Sequence, residues 1–426
     1  MINERRVVVT GIGIVSPVGI GHEDTWKALL AGKSGVSHIT HFNPDDLGLE
    51  VKIAAEVKDF DINNFYSDRR KVGSMLKEMD RITLFAMAAS KMALEDAHLD
   101  IRATIPERVG TFIGTGVGGI ITTTADQIKL MAGGGPKKIG LRSIIRLMPN
   151  AASGQVAIEY GAKGRAKSDA TACASGLDSL FDAYMYIKNN RADAMIAGGS
   201  EACINPFSIA SFTNMMALSK NNGNPEKVSR PFSSGRDGFV MGEGAVILIL
   251  EELEHAARRN APVYAEIVGG GASCDATHIV APDEFGAGAA RAMEEALTEA
   301  QIAPTEIDYI NAHGTSTPLN DERETLAIKR VFKDHAYKLA VSSTKSMVGH
   351  LLGGAGALGA AATALTIKHQ KIHPTINYDN PDPKCDLDYV PNFCRDAKVN
   401  HAMVEALGFG GHNTVLVMKK FVAPAV

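Results

Sequence analysis

One cysteine lies at the predicted start of a helix. Cys173 sits in segment 168–176 (SDATACASG), and apolar residues at helical spacing follow it: Leu177, Leu180, Phe181, Tyr184 and Ile187. The first turn of a buried helix has unpaired N–H groups and the positive end of the helix dipole, which favour a nucleophilic thiolate. Such positions lower a cysteine pKa by about one to several units. The alternative is a small buried cysteine in a tightly packed helix start, and this segment alone does not decide between them.

Two histidines each lie in a segment of small and polar residues that follows a predicted strand. His313 lies in segment 311–318 (NAHGTSTP) and His350 in segment 342–350 (SSTKSMVGH). Each follows a short apolar segment that predicts a strand, and each is surrounded by Gly, Ser and Thr. Such turns at strand ends are where catalytic groups concentrate. A lone histidine is more often structural, but two of them together with a helix-start cysteine favour an active site.

Four motifs in order, TACASG, NAHGTSTP, SSTKSMVGH and GFGGHN, resemble those of the condensing enzymes of fatty-acid synthesis, and most closely the elongating β-ketoacyl synthases. The resemblance runs over nearly the whole chain, from the segment RVVVTGIG that begins at Arg6. A Cys-His-His set is similar to the elongating class, since initiating synthases carry Asn in place of the second His and thiolases a second catalytic Cys. The resemblance implies a decarboxylating Claisen condensation between an acyl chain held on Cys173 and malonyl-acyl carrier protein. The product is a 3-oxoacyl-acyl carrier protein.

The resemblance also implies roles for further residues. The backbone N–H groups of Cys173 and Phe409 form the oxyanion hole, and the Phe409 side chain gates the acyl pocket. His313 and His350 act as neutral N–H donors to the enolate oxygen. The remaining implied residues are the buried lysine, Lys345; the carboxylates that support it, Asp321 and Glu324; the pantetheine-binding Thr315 and Thr317; and Val117, which lines the acyl pocket. Lys345 alone would be an ordinary surface lysine, and the two threonines are also explained by turn chemistry. Gly359 departs from the family, which usually has Glu there.

Composition limits the class of protein. The chain has 426 residues, 45% of them hydrophobic, and a net charge of −4, which argues against nucleic acid as the main partner. Five scattered cysteines without a CxxC pair predict neither a disulfide framework nor a zinc site, and they fit a reducing cytoplasm. We expect no metal and no organic cofactor. Segment 351–367 is uncharged but rich in Gly and Ala, so it predicts a closely packed buried helix rather than a membrane span.

Apolar β-branched runs alternate with helical patterns, which predicts an α/β architecture with covered sheets. Segments 238–250 and 408–418 both run from a glycine-rich stretch with Phe into a hydrophobic strand. We therefore predict two similar halves, 1–258 with the cysteine and 259–426 with both histidines, and a site at their seam. The resemblance implies a five-layer αβαβα thiolase-like fold and a homodimer.

Several alternatives stay open. Segment 114–119 (GTGVGG) fits GxGxxG, but no acidic residue follows at the distance that a dinucleotide-binding site needs. A cysteine hydrolase would leave the second histidine unexplained. A polyketide-type ketosynthase and a chain-length-factor-like partner subunit are further alternatives. Two basic clusters, 69–71 and 137–146, are candidates for docking an acidic acyl carrier protein, or they are simply solvated faces.

Overall fold

The computed structural model describes residues 5–422. Its strands are β1 (Val7–Ser16), β2 (Gly19–Ile20), β3 (Ser37–His38), β4 (Ile53–Ala54), β5 (Val109–Gly114), β6 (Ala166–Lys167), β7 (Ala194–Glu201), β8 (Gly244–Glu252), β9 (Ala265–Cys274), β10 (Tyr309–Asn311), β11 (Ala340–Ser342), β12 (Lys371–Ile372), β13 (Arg395–Asp396), β14 (His401–Gly408) and β15 (His412–Lys419). Its α-helices are α1 (His22–Leu30), α2 (Arg69–Glu78), α3 (Arg81–Asp96), α4 (Ile120–Lys129), α5 (Ser143–Leu147), α6 (Ala151–Tyr160), α7 (Ser175–Lys188), α8 (Pro206–Asn214), α9 (Leu253–Arg258), α10 (Ala287–Ala300), α11 (Pro318–Phe332), α12 (Lys345–Val348) and α13 (Ala355–His369).

The main strands follow the order β6-β5-β7-β8-β1-β9-β15-β14-β10-β11. Outward from β1, two antiparallel pairings are followed by two parallel ones. Outward from β9, the same sequence of pairings recurs. This order agrees with two similar halves, while their boundary between residues 258 and 259 stays a prediction.

Helices cover both sides of each half of the strand order. Helices α3 and α6 pack on the first half, α10 lies on β9 and β15 with α11 beside it, and α7 and α13 pack against each other between the two halves. The order helix, sheet, helix, sheet, helix confirms the predicted αβαβα fold. Strands such as β7 and β8 are buried along their full length, as expected for sheets covered on both faces.

Helix α13 is the buried helix that segment 351–367 predicts. Every residue from 355 to 367 is buried. A Cβ added to Gly356 would lie 2.8 Å from the Cβ of Leu177 on α7, so glycine permits the close contact of the two central helices. Among residues 5–422, the helices are all too short or too polar to cross a membrane.

Candidate active site

Cys173 lies in a 3-10 turn, Ala172–Ala174, that leads directly into α7. Ala172 has a φ of 51°, a left-handed conformation that few non-glycine residues adopt. The Ser175 side chain holds this turn, because its Oγ donates to the carbonyl of Ala172 at 2.7 Å and accepts from the N–H of Thr171 at 3.0 Å. The turn fixes the thiol at the carboxyl end of β5 and β7, with 4% of the residue exposed.

The surroundings of Cys173 favour its protonated form. Burial raises its pKa to about 12, although the positive charge of Lys345 and the main-chain N–H groups of Phe409 and Cys173 act to lower it. Burial therefore acts against the resting thiolate that the sequence predicts. A single 3-10 turn and two N–H groups do not offset the removal of the sulfur from water.

The two predicted histidines lie together. The ring centroids of His313 and His350 are 5.3 Å apart, with the rings nearly perpendicular. Burial lowers the pKa of both rings well below the usual value, and the charge of Lys345 adds to the effect. Both imidazoles are therefore neutral, as the sequence predicts.

His350 has a defined tautomer. Its Nδ1 accepts from the N–H of Leu352 at 3.2 Å, so in the neutral ring Nε2 carries the proton and can donate it. The ring of Phe239 meets His350 edge-on at 5.2 Å and fixes its plane. Nδ1 of His313 is buried and has no hydrogen-bond partner within the described part of the chain.

Lys345 and the two carboxylates hold the main chain around His313. Lys345 Nζ donates to the carbonyl of His313, and Glu324 accepts from the N–H groups of His313 at 2.5 Å and Gly314 at 2.8 Å. Asp321 accepts from the N–H of Thr315 at 3.0 Å. Between residues 5 and 422 no direct ion pair joins Lys345 to Glu324 or Asp321. The two carboxylates therefore act on Lys345 through their charge, and all three side chains bind the main chain of the turn around His313.

Burial shifts the pKa values of Lys345 and Glu324. It lowers the pKa of Lys345 to about 8, while the negative charges of Glu324 and the Cys173 thiolate form oppose that shift. Burial raises the pKa of Glu324 to about 7. The charge of Lys345 acts on Cys173, His313 and His350 alike, which places all three around one buried ammonium.

The hairpin between β14 and β15 brings Phe409 to the cysteine. A Cβ on Gly408 would lie 3.3 Å from the nitrogen of Cys173 and 2.7 Å from the carbonyl oxygen of Thr171. Glycine therefore lets the end of β14 reach the nucleophile turn. Phe409 is half-buried, and its main-chain N–H points at the sulfur.

The three predicted substrate-binding residues lie in two loops, Thr315 and Thr317 after β10 and Val117 after β5. Thr315 Oγ1 and Thr317 Oγ1 are 2.9 Å apart, and Thr317 also caps α11 by accepting from the N–H of Asn320. Turn chemistry thus accounts for part of the role of Thr317. Val117 is 36% exposed in the loop between β5 and α4.

Sequence reasoning overlooked Glu201 at the end of β7. Its buried carboxylate accepts from Thr115 Oγ1 at 2.9 Å, the N–H of Gly116 at 2.7 Å and the N–H of Gly353 at 3.1 Å. It ties the loop after β5 to the turn before α13. The sequence feature that could have revealed Glu201 is an acidic residue at the end of an apolar segment that predicts a strand. Because the carboxyl group of Glu201 already accepts from the N–H of Gly116, this amide of the GTGVGG loop is not free to bind a phosphate.

A thiol and two neutral imidazoles at the seam of a five-layer αβαβα fold define the class of thiolase-like condensing enzymes. The chain belongs to the beta-ketoacyl synthase family. The family model of the N-terminal domain matches residues 4–256, and that of the C-terminal domain matches residues 264–379.

The relatives are similar over nearly their full length. The chain is 47% identical over 420 residues to the 3-oxoacyl-[acyl-carrier-protein] synthase 2 of Synechocystis sp., covering 99% of each chain. It is 48% identical over 417 residues to the protein of the same name from Coxiella burnetii, covering 98% of this chain and 99% of the relative. A type II polyketide ketosynthase bound to a hexaketide, solved in complex with its acyl carrier protein, has 37% identity and a TM-score of 0.91, covering 99% of this chain and 100% of that one.

Proposed function

We propose that the chain is a 3-oxoacyl-acyl carrier protein synthase that elongates fatty acyl chains by decarboxylative condensation. The observation that carries the proposal is the convergence of a buried thiol, two neutral imidazoles and two main-chain N–H groups around the charge of Lys345. The high identity to synthases of that name supports the substrate class.

In the first half-reaction, Cys173 attacks the thioester carbonyl of an acyl-acyl carrier protein. The thiol loses its proton as the new carbon–sulfur bond forms, and the carrier leaves as a thiol that takes up that proton. The N–H groups of Cys173 and Phe409 donate to the oxyanion that develops at the carbonyl oxygen. Such donors contribute about 10²–10³-fold in rate each.

In the second half-reaction, malonyl-acyl carrier protein loses carbon dioxide and becomes an enolate. His350 Nε2–H and the ring of His313 donate to the enolate oxygen on the thioester. Neutral rings suit this step, because a protonated ring would hold the malonyl carboxylate and oppose its loss. The carbanion then attacks the acyl carbonyl, and the bond to Cys173 breaks with its electron pair on the sulfur. A 3-oxoacyl-acyl carrier protein leaves, and the Cys173 thiolate takes up one proton from solvent.

The products of the pure protein test this function. After incubation with malonyl-acyl carrier protein and acyl carriers of several lengths, mass spectrometry is expected to find carriers whose acyl chains are two carbons longer and carry a 3-oxo group. One carbon dioxide should appear per elongation. Free fatty acid would instead support a cysteine hydrolase, and elongation only after a second subunit is added would support a partner subunit.

Fatty-acid elongation is favoured over polyketide extension. Identity is 47% and 48% to the two 3-oxoacyl-acyl carrier protein synthases and 37% to the polyketide ketosynthase. A chain-length-factor-like role is not favoured, since this chain keeps Cys173 together with both histidines.

The acidic carrier is proposed to dock on exposed cations at the start of α2. Arg69 and Arg70 are exposed there. Two cations of the predicted clusters already form ion pairs, Lys71 with Glu159 and Arg142 with Glu78, whereas Lys137 and Lys138 of the second cluster are exposed. The cytoplasm remains the predicted compartment.

A homodimer is proposed to form over segment 128–148. This segment exposes a group of large apolar side chains: Ile128, Leu130, Met131, Leu141, Ile144, Ile145 and Met148. Leu141 is 99% exposed, and the segment touches the loop that carries Val117, because the N–H of Gly119 donates to the carbonyl of Leu147. Exposed patches of this kind mark protein interfaces.

We expect light scattering to give twice the chain mass for the wild type, and the single mass for a Leu141→Lys, Ile144→Glu variant. Phe393→Ser, which removes an exposed aromatic side chain elsewhere, should stay dimeric. A wild-type monomer at micromolar concentration would contradict this assembly.

A further inference from the structure

Strand β14 carries a buried carboxyl group outside the residues discussed so far. Glu405 is 2% exposed, and neither of its carboxylate oxygens has a hydrogen-bond partner within residues 5–422. In the register of β14 and β15, Glu405 lies opposite Val415, and Met403 lies opposite Val417. Alternate residues of a strand share a face, so Glu405 faces the apolar cluster that contains Met403, Val415 and Val417.

Glu405 also lies beside the turn that carries His313. Strand β14 is parallel to β10 and pairs Val404 with Asn311, so the next residue, Glu405, lies alongside the chain that leads into His313. The charged group that acts on Glu405 is Glu324 of α11, the same carboxylate that accepts from His313 and Gly314.

Other polar groups surround this network. The thiol of Cys385 and the hydroxyl of Tyr389 belong to the same apolar cluster as Met403, and Asn320 Nδ2 donates to Glu324 at 3.2 Å. Asp321 lies one turn before Glu324 on α11, and Lys345 reaches the network from α12. The buried residues of helix α10, which packs on β15 and β9, are all apolar or glycine: Gly288, Ala289, Ala290, Ala292, Met293, Ala296 and Leu297. Its Glu295 and Glu299 instead accept from the N–H groups of Ala272 and Gly270 on β9. Glu405 therefore lies among apolar side chains, and the charged group that acts on it, Glu324, is also acidic.

We propose that Glu405 is a positioning residue that works as a neutral carboxylic acid, so that no repulsive charge disturbs Glu324 on the main chain of His313. When Glu405 loses its proton, its charge repels Glu324 and loosens the His313 turn, so donation to the enolate fails. This proposal rests on the proposed function of His313 in malonyl decarboxylation.

The protonation state follows from the surroundings. Burial, and then the negative charge of Glu324, raise the pKa of Glu405 well above its usual range. Between the unfolded and folded pKa values the folded protein binds the extra proton, so this group makes stability fall as pH rises. The Glu405→Gln variant lacks this pH-dependent loss of stability and should be at least as stable as the wild type at neutral pH.

Decarboxylation of malonyl-acyl carrier protein tests the role of Glu405. Across mildly acid to alkaline pH, the wild-type rate should fall by about tenfold per pH unit above the pKa of Glu405. Glu405→Gln should keep the neutral-pH rate within about threefold and lose this component of the alkaline fall. Acylation of Cys173, followed at the same pH values, should differ little between the two proteins. An identical alkaline fall in both proteins would overturn the proposal.

Infrared spectroscopy tests the proton without any turnover. The difference spectrum between wild type and Glu405→Gln at neutral pH should show the carbonyl band of a protonated carboxyl group. Glu306→Gln, at an exposed position, is the control and should show no such band. An ionised Glu405 in this spectrum overturns the proposal. If the wild type decarboxylates nothing, the proposed function fails, while the band still reports whether Glu405 holds its proton.

Discussion

Replacing Cys173 with alanine is expected to lower the rate of condensation by at least about 10⁴-fold, because no other group can carry the acyl chain as a thioester. Decarboxylation of malonyl-acyl carrier protein should remain measurable, since the two histidines that donate to the enolate stay in place. Mass spectrometry of the acyl-enzyme and release of carbon dioxide separate the two half-reactions.

Cys203 provides a matched control for this variant. It is also buried and belongs to the same apolar cluster as Cys173, and its sulfur lies 3.8 Å from Met241 Sδ. Cys203→Ala should keep condensation within a few-fold, because its loss removes packing and no nucleophile. An acyl chain found on Cys203, or full activity of Cys173→Ala, would contradict the assignment.

Replacing either His313 or His350 with alanine should lower malonyl decarboxylation by about 10²–10³-fold, the usual effect of removing one preorganised donor. Acylation of Cys173 should change by less than about tenfold, since the N–H groups of Cys173 and Phe409 stabilise that oxyanion. Single-turnover measurements of the two half-reactions give this comparison. Equal losses in both would show that the histidines act on acyl transfer as well.

The pH dependence of the wild type tests the neutral state of the rings. Because burial places the pKa of both histidines well below 6.5, decarboxylation should not fall as pH decreases through that value. An acid limb near 6.5 that disappears in His350→Ala would contradict neutral imidazoles at rest. His369→Ala is a suitable control, because its ring packs on Trp26 in another part of the fold.

The local pattern of apolar residues was sufficient to predict the helices and strands that carry the site. The apolar spacing after Cys173 predicts α7, and the short apolar segments before His313 and His350 predict β10 and β11. The uncharged Gly- and Ala-rich segment predicts α13. These features depend on hydrophobic periodicity and turn residues, which are encoded over a few residues.

Charge states depended on packing between distant segments. The helix start suggests a thiolate at Cys173, but the two halves enclose the sulfur so fully that desolvation outweighs the local dipole. The contact of Lys345 with the carbonyl of His313 likewise joins residues 32 positions apart. The spacing of hydrophobic residues in the sequence does not indicate which carbonyl a buried lysine will bind.

The sequence by itself determined an α/β architecture and the order of a cysteine and two histidines along the chain, and its resemblance to condensing enzymes implied the αβαβα layers. Only the tertiary structure decided that Glu201 binds the glycine-rich loop and that Glu405 has no hydrogen-bond partner within residues 5–422 while the charge of Glu324 acts on it. The reason is physical: patterning selects elements through short-range interactions, whereas pKa values and hydrogen-bond partners depend on which groups long-range folding removes from water together.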